Sequence, residues 1–252
     1  MGTGENIVLG LIQGFTEFFP ISSSAHLLLF RALFPLGEAS LSLDVMLHGG
    51  TWVAVFVVFL PFIRRILKCP VILGKVFLAT IPAGIFGYLF EGEIERMARG
   101  NLLLVSGILA LLGGVFLIVK EKGDKTLETL AVRDVLLIGL SQAFALIPGV
   151  SRSGITLLAG IAVGLRRAEA VLFSFLLSLT TIGGAVGLVL VRHAREISFL
   201  RDTLPGFVAA LGSGIFSCVV LLKLVRERGL TLFGYYRIIV GVFFFLFFLL
   251  RR

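Results

Sequence analysis

Pro20-Ile21-Ser22-Ser23-Ser24-Ala25-His26 and Pro148-Gly149-Val150-Ser151-Arg152-Ser153-Gly154 are two short polar strings in strongly apolar surroundings. The first lies inside the apolar region 6–34, the second inside 133–164. Read as a single span, 6–34 would hold Glu17, Pro20, three serines and His26 at mid-membrane, with a proline interrupting the helix. Burying such groups is costly unless partners are present. Cut at Pro20, each arm is about 13–14 residues, or roughly 20 Å of helix, too short to cross a bilayer. Residues 133–164 repeat the pattern, with the cut at Pro148 and Gly149. Both regions are therefore expected to form helix–turn–helix hairpins that enter the membrane and return. Irregular backbone is tolerated at that depth only where protein or a cavity surrounds it.

The rest of the chain agrees. Of its 252 residues, 58% are hydrophobic and 15% charged, and mean hydropathy is +1.06. A soluble domain would carry roughly 25% charged residues, so a soluble all-α protein is set aside. Six runs have close to the roughly 20 residues a span needs: about 41–61, 70–90, 101–119, 168–191, 204–225 and 232–250. Short charged connectors separate most of them: Arg64 to Lys68, Glu91 to Arg99, and Arg226-Glu227-Arg228. The net charge of +8 does not imply nucleic acid, because the Lys and Arg lie mostly between apolar runs. Cys69 and Cys218 are isolated, so neither a disulfide framework nor a zinc site is indicated. The N-terminus lacks the features of a cleaved signal peptide, so the first apolar stretch is expected to be retained. The aromatic run 243–248 suits lipid contact.

An internal repeat ties the two strings together. At an offset of 129 residues, Gly10 falls on Gly139, Gln13 on Gln142, Phe15 on Phe144, Ser22 on Ser151, Ser24 on Ser153 and Ala25 on Gly154. Two mismatches matter chemically: Glu17 falls on Leu146, and Ser23 on Arg152. Each half, about 1–120 and 130–252, is one hairpin plus three spans. Three is odd, so the second half must be inverted relative to the first. The fold expected is a single integral domain over 1–252: an all-α polytopic membrane protein with six transmembrane helices plus two re-entrant helix hairpins in an inverted-topology repeat. One side then receives 13 Lys and Arg residues, from Arg64 through Arg228, and the other 8, among them Arg31, Arg96 and Arg251. The richer side is expected to be cytoplasmic, which turns the first hairpin and both termini outward.

The chemistry concentrates at the hairpin tips. Gln13 and Glu17 are spaced i,i+4 and share a helix face. Ser22 or Ser23 is placed to cap the second arm, and His26 follows one turn later. The other tip offers Ser151, Arg152, Ser153 and Gly154, with Thr156 a turn on. Two helix N-termini and an arginine fork make an anion site suited to phosphate or diphosphate. Each residue has a plainer reading: a serine after proline is often only a cap, and a membrane histidine is often only packed. Asp44 and His48, also i,i+4, are read as structural, and His193 as a solvated connector residue. The doubled arrangement is more specific than any one of its members.

At these residues the chain resembles the undecaprenyl-diphosphate phosphatase family, the bacitracin-resistance membrane phosphatases of bacteria. Gln13-Gly14-Phe15-Thr16-Glu17 fits that family's Glu/Gln-x-x-x-Glu signature, and Pro148 to Gly154 fits Pro-Gly-x-Ser-Arg-Ser-Gly. Ser22 to His26 fits Ser-Ser-Thr-Gly-His with Ser24 for Thr and Ala25 for Gly. Gln13 replaces the Glu of many members and removes one negative charge. The resemblance implies hydrolysis of a C55 polyprenyl diphosphate to the monophosphate carrier used in peptidoglycan synthesis, and with it bacitracin resistance. It implies a multi-pass protein of the bacterial inner membrane, its site opening outward, and a divalent cation, Mg2+ or Ca2+, held partly by Glu17. Glu17, Ser23, His26 and Arg152 are the expected catalytic residues. Gln13, Ser22, Ser24, Ser151, Ser153, Gly154 and Thr156 are expected to bind substrate. The nucleophile is Ser23, with His26 as its base, or His26 itself. The expected partners are the polyprenyl diphosphate lipid and membrane lipids, with a homodimer left open. Because inverted repeats with broken helices also build transporters, a flippase for the lipid phosphate is the alternative.

Overall fold

The computed structural model describes residues 2–34, 41–119, 122–192 and 197–251. Lys120, His193, Arg195 and Arg252 lie outside the described residues. Ten helices form: α1 (Thr3–Glu17), α2 (Ser23–Leu33), α3 (Leu41–Ile66), α4 (Pro70–Gly100), α5 (Leu102–Ile118), α6 (Val132–Phe144), α7 (Arg152–Ala162), α8 (Arg167–Arg192), α9 (Ile197–Arg228) and α10 (Thr231–Leu250). Among the described residues there is no strand beyond one isolated bridge between Lys125 and Leu165.

Stretches in α3, α4, α8, α9 and α10, each of 20 to 24 residues, are long and apolar enough to cross a membrane. The expected span 101–119 is α5, an apolar helix of 17 residues. The expected charged connectors differ from the sequence reading in a consistent way. Arg64 and Arg65 lie within α3, the stretch Glu91 to Arg99 lies within α4, and Arg226 to Arg228 closes α9. Glu, Arg, Met and Ala are good helix formers, and a helix projecting past the hydrocarbon loses no backbone hydrogen bond by continuing into water.

Helix packing follows where side chains are small. On α1, Gly10 and Gly14 are one turn apart and face Gly206, Ala209, Ala210, Ser213 and Gly214 of α9. With no side chain between them the backbones approach closely, the usual glue of membrane helices, where lipid removes the hydrophobic drive. Gly139 of α6 lies in the same way against Ala79 of α4. Gly113 of α5 meets Gly234 of α10, and Gly241 of α10 meets Ser106 and Ala110. The neighbour pattern has a regularity: α1 rests on α9 and α6 on α4, while α5 rests on α10. Exchanging the first five helices for the last five maps the first pair onto the second and the third onto itself. The buried apolar core includes Phe18 at the first tip, tilted against Phe175 of α8 at 5.6 Å, and Phe59 of α3, 4.4 Å from the same Phe175 ring.

The link between α5 and α6 is tied down by polar contacts. Lys75 Nζ donates to the carbonyls of Leu127 and Glu128 at 2.9 and 2.7 Å, and Leu127 N donates to Glu169 Oε2 at 3.0 Å. Lys125 pairs with Asp134 at 2.7 Å.

A Cβ at Gly14 would overlap Ser213 Oγ and the backbone of Ala210 and Gly214. Gly14→Val should therefore lower the thermal midpoint in detergent, since overpacking costs typically about 1–3 kcal/mol. Gly74→Val is the control, because nothing lies within 4 Å of a Cβ there. Equal midpoints for the two variants would argue against close α1–α9 contact.

Candidate active site

Pro20 decides where α1 ends. It cannot donate a backbone hydrogen bond and restrains the residue before it, so the helix stops at Glu17 and turns through Phe18 to Ile21. The chain re-enters helix at Ser22, whose side chain accepts from Ala25 N at 3.4 Å. The second tip does the same: Ser151 Oγ accepts from Gly154 N at 3.1 Å. Ser22 (φ 73°) and Ser151 (φ 74°) are the non-glycine residues with positive φ among the described residues. That conformation costs of order 1–3 kcal/mol and persists only where surrounding contacts over-determine it. Each cap also pairs with the hydroxyl two residues on, Ser24 and Ser153 respectively, at 3.2 Å.

The two tips meet at Glu17. Its side chain is buried. Arg152 donates to Oε1 at 2.9 Å. Ser23 Oγ donates to Oε2 at 2.5 Å, and Gln13 Nε2 donates to the same oxygen at 3.1 Å. Gln13 Nε2 also lies 2.9 Å from His48 Nδ1, which is 3.7 Å from Glu17 Oε2. Arg152 is steadied from α8, donating to the carbonyl of Ser174 at 3.3 Å. Ser153 donates to the carbonyls of Glu17 and Phe19 at 3.0 and 3.3 Å, sewing the second tip to the first. Thr156 stands behind this cluster: its hydroxyl donates to the carbonyl of Arg152 at 2.8 Å and pairs with Ser174 Oγ at 2.8 Å.

Beneath both tips lies Arg237 of α10, with no exposed surface. It donates to the carbonyls of Pro20 at 2.9 Å, Gly149 at 2.7 Å and Val150 at 3.2 Å, and to Leu109 at 3.4 Å. The ring of Phe116 lies 5.4 Å from the guanidinium carbon. His26 is held between Ser22 and α10: Nδ1 lies 2.8 Å from the Ser22 carbonyl and Nε2 2.8 Å from the Tyr236 hydroxyl, the two rings stacking. With Nδ1 protonated, the tyrosine donates to Nε2.

A serine hydroxyl on a buried carboxylate, facing an arginine across two helix N-termini, is an arrangement for phosphoryl chemistry. Residues 6–243 match the protein family described as bacitracin resistance protein BacA. The chain belongs to the BacA family. BacA-family relatives named undecaprenyl-diphosphatase align along nearly its whole length. The protein of Caldicellulosiruptor bescii is 40% identical, covering 100% of this chain and 99% of the relative. That of Pelotomaculum thermopropionicum is 40% identical over 94% of both chains, and that of Thermosipho africanus 40% identical over 94% and 97%. With this family and its apolar helices, the chain is a multi-pass membrane protein.

Of the BacA-family residues named from sequence, Gln13, Glu17, Ser23, Arg152 and Ser153 converge. Ser22, Ser151 and Gly154 serve the caps, Ser24 is exposed, and Thr156 braces α7. No hydrogen bond joins His26 to Ser23, whose hydroxyl donates to Glu17 Oε2 instead. Asp44 is structural, pairing with Arg31 in two bonds of 2.5 and 3.1 Å, but its neighbour His48 belongs to the site. Sequence reading passed over Arg237, Tyr236 and Ser174. Arg237 carried a signal, a lone arginine six residues into an otherwise uncharged span.

Among the described residues no group of three His, Cys, Asp or Glu could hold a metal ion. The donors present still fit a cation carried mainly by phosphate oxygens, as Mg2+ commonly is. Glu17 offers a carboxylate, and Gln13 Oε1 is buried with no partner.

Arg237→Met should leave the tip carbonyls without donors, at roughly 1–3 kcal/mol for each buried one. The variant should melt earlier and be cut faster by protease at the two tips. An unchanged midpoint would show that the tips hold themselves.

Proposed function

We propose that the protein is an integral membrane phosphatase hydrolysing undecaprenyl diphosphate to undecaprenyl phosphate and phosphate. The observation that carries this is Ser23 Oγ donating to Glu17 Oε2 while Arg152 holds the other carboxylate oxygen. The BacA-family match and the names of the relatives support the substrate and the reaction.

Arg152 and the backbone N–H groups opening α2 and α7 bind the diphosphate and stabilise charge on the transferred phosphoryl group. Ser23 Oγ attacks the terminal phosphorus in line with the bridging oxygen. Its proton passes to Glu17 Oε2, and polyprenyl phosphate leaves. Glu17 hands that proton to the departing polyprenyl phosphate. Water then attacks the phosphoserine and gives a proton to the freed carboxylate, and Glu17 returns it to Ser23 Oγ as inorganic phosphate leaves. His26, fixed by Ser22 and Tyr236, positions the first turn of α2. A divalent cation, Mg2+ or Ca2+, held by Glu17 and Gln13 Oε1 would offset phosphate charge. Transport alone would have no use for a hydroxyl poised on a carboxylate, so the flippase reading is second.

We further propose six spans and two re-entrant hairpins in an inverted repeat, with halves about 1–120 and 130–252. Matched caps at Ser22 and Ser151 support this, as does the exchange of α1–α9 for α6–α4. α5 is then the sixth span, of about 25 Å. The excess of Lys and Arg on one side supports an inner-membrane orientation with both termini and the first hairpin outward.

Ser23→Ala should lower phosphate release from undecaprenyl diphosphate by at least about 100-fold, and Glu17→Gln by about 100- to 10,000-fold. Quenched wild-type enzyme should carry acid-stable phosphate on Ser23. Acid-labile phosphate on His26 would overturn the serine route.

A further inference from the structure

A cavity of about 590 Å³ lies between α4, α6 and α8, within the size range of ligand sites. Its inner end is polar and adjoins the candidate active site. Arg152 lines it there, beside Gln142 and the paired hydroxyls of Thr80 and Thr180, 2.7 Å apart. From that bridge α4 and α8 form two walls that advance together, through Gly84 and Gly184 to Tyr88 and Leu188. Tyr88 and Leu188 are 79% and 48% exposed, so the outer end meets the surface.

Two further observations distinguish this groove from a packing defect. Gly84 and Gly184 do not bring helices together as Gly10 and Gly139 do: a Cβ at either meets nothing within 4 Å. Gln142 is 2% exposed, and its Oε1 has no partner. A buried acceptor left unpaired is costly unless a polar group or water in the groove meets it. The groove is thus polar where it joins Arg152 and apolar where it meets lipid. A phosphate ester with a hydrocarbon tail has the same gradient.

We propose that this groove binds the isoprene units nearest the diphosphate, running from Arg152 between α4 and α8 to the lipid. This rests on the phosphatase reading above. Gly84 and Gly184, by lacking side chains, set the width available to the first part of the tail. The groove thereby selects polyprenyl over short diphosphates through KM, leaving the chemical step to Glu17, Ser23 and Arg152.

The test uses the full chain in detergent, as wild type, Gly84→Leu and Gly184→Leu, with undecaprenyl diphosphate and tail-less methyl diphosphate. Filling the groove should raise KM for the undecaprenyl substrate about tenfold with kcat nearly unchanged, and leave kcat/KM for methyl diphosphate within about twofold. Unchanged KM for the long substrate, or equal losses on both, would overturn the groove. Phosphate release from neither substrate by the wild type would sink the phosphatase reading instead. A second measurement does not depend on turnover or on the leucine variants. A polyprenyl diphosphate with a diazirine on its second isoprene should label α4 and α8 peptides, and undecaprenyl phosphate should compete. Labelling confined to α10, or competed equally well by phosphatidylglycerol, would overturn the groove.

Discussion

A single buried cation holds the two halves of the site in register. Arg237 enters from α10 with no exposed surface and spends its donors on carbonyls of both hairpin tips. Each turn between helices leaves buried backbone carbonyls without a helical partner. Arg237 answers that need for Pro20, Gly149 and Val150 together. It thereby converts two separate turns into one unit. A lysine carries the charge but lacks the planar fork that reaches three carbonyls at once.

With the tips joined from below, the residues above them divide the work. The first tip carries Glu17 and Ser23; the second carries Arg152 where the first has serine, and Leu146 where the first has glutamate. The repeat explains why both tips present capped helix N-termini, and its two departures explain why only one sets a serine hydroxyl on a carboxylate. Ser153 and Arg152 then bind back to Glu17 and its carbonyl, so the ion pair is also a structural clasp. Breaking one member of such a buried pair strands the other charge. Activity losses at Glu17 or Arg152 therefore have meaning only beside a stability measurement.

The hairpins, their boundaries near Pro20 and Pro148, and the cluster of Gln13, Glu17, Ser23 and Arg152 were legible in the sequence. Proline and short arm length fix a break, and polar residues set inside apolar runs advertise function. Helix ends were not legible, as at Glu91 to Arg99, because charge marks the membrane boundary and not the end of the backbone hydrogen bonds. His48 was read as structural, and Tyr236 passed over, for another reason. Neither lies near the motifs in sequence, and only tertiary packing of α3 and α10 brings them to Gln13 and His26. The pairing of His26 with Ser23, natural from spacing on one helix, gave way to Glu17, because i,i+3 neighbours point along the helix surface while the preceding turn folds Glu17 over Ser23.

Among the described residues, the ionised groups around the tips are unequal in number: one buried carboxylate, Glu17, against two guanidiniums, buried Arg237 and half-buried Arg152. Arg152 is neutralised by Glu17, whereas Arg237 has only dipoles around it. The centre therefore carries net positive charge, felt over longer distances in a low-dielectric interior than in water. Such a centre draws in a polyanionic headgroup and resists a lone cation. Once a diphosphate arrives, the sign of the field reverses. The departing monophosphate, with fewer charges, would then be held less firmly than the diphosphate it replaces.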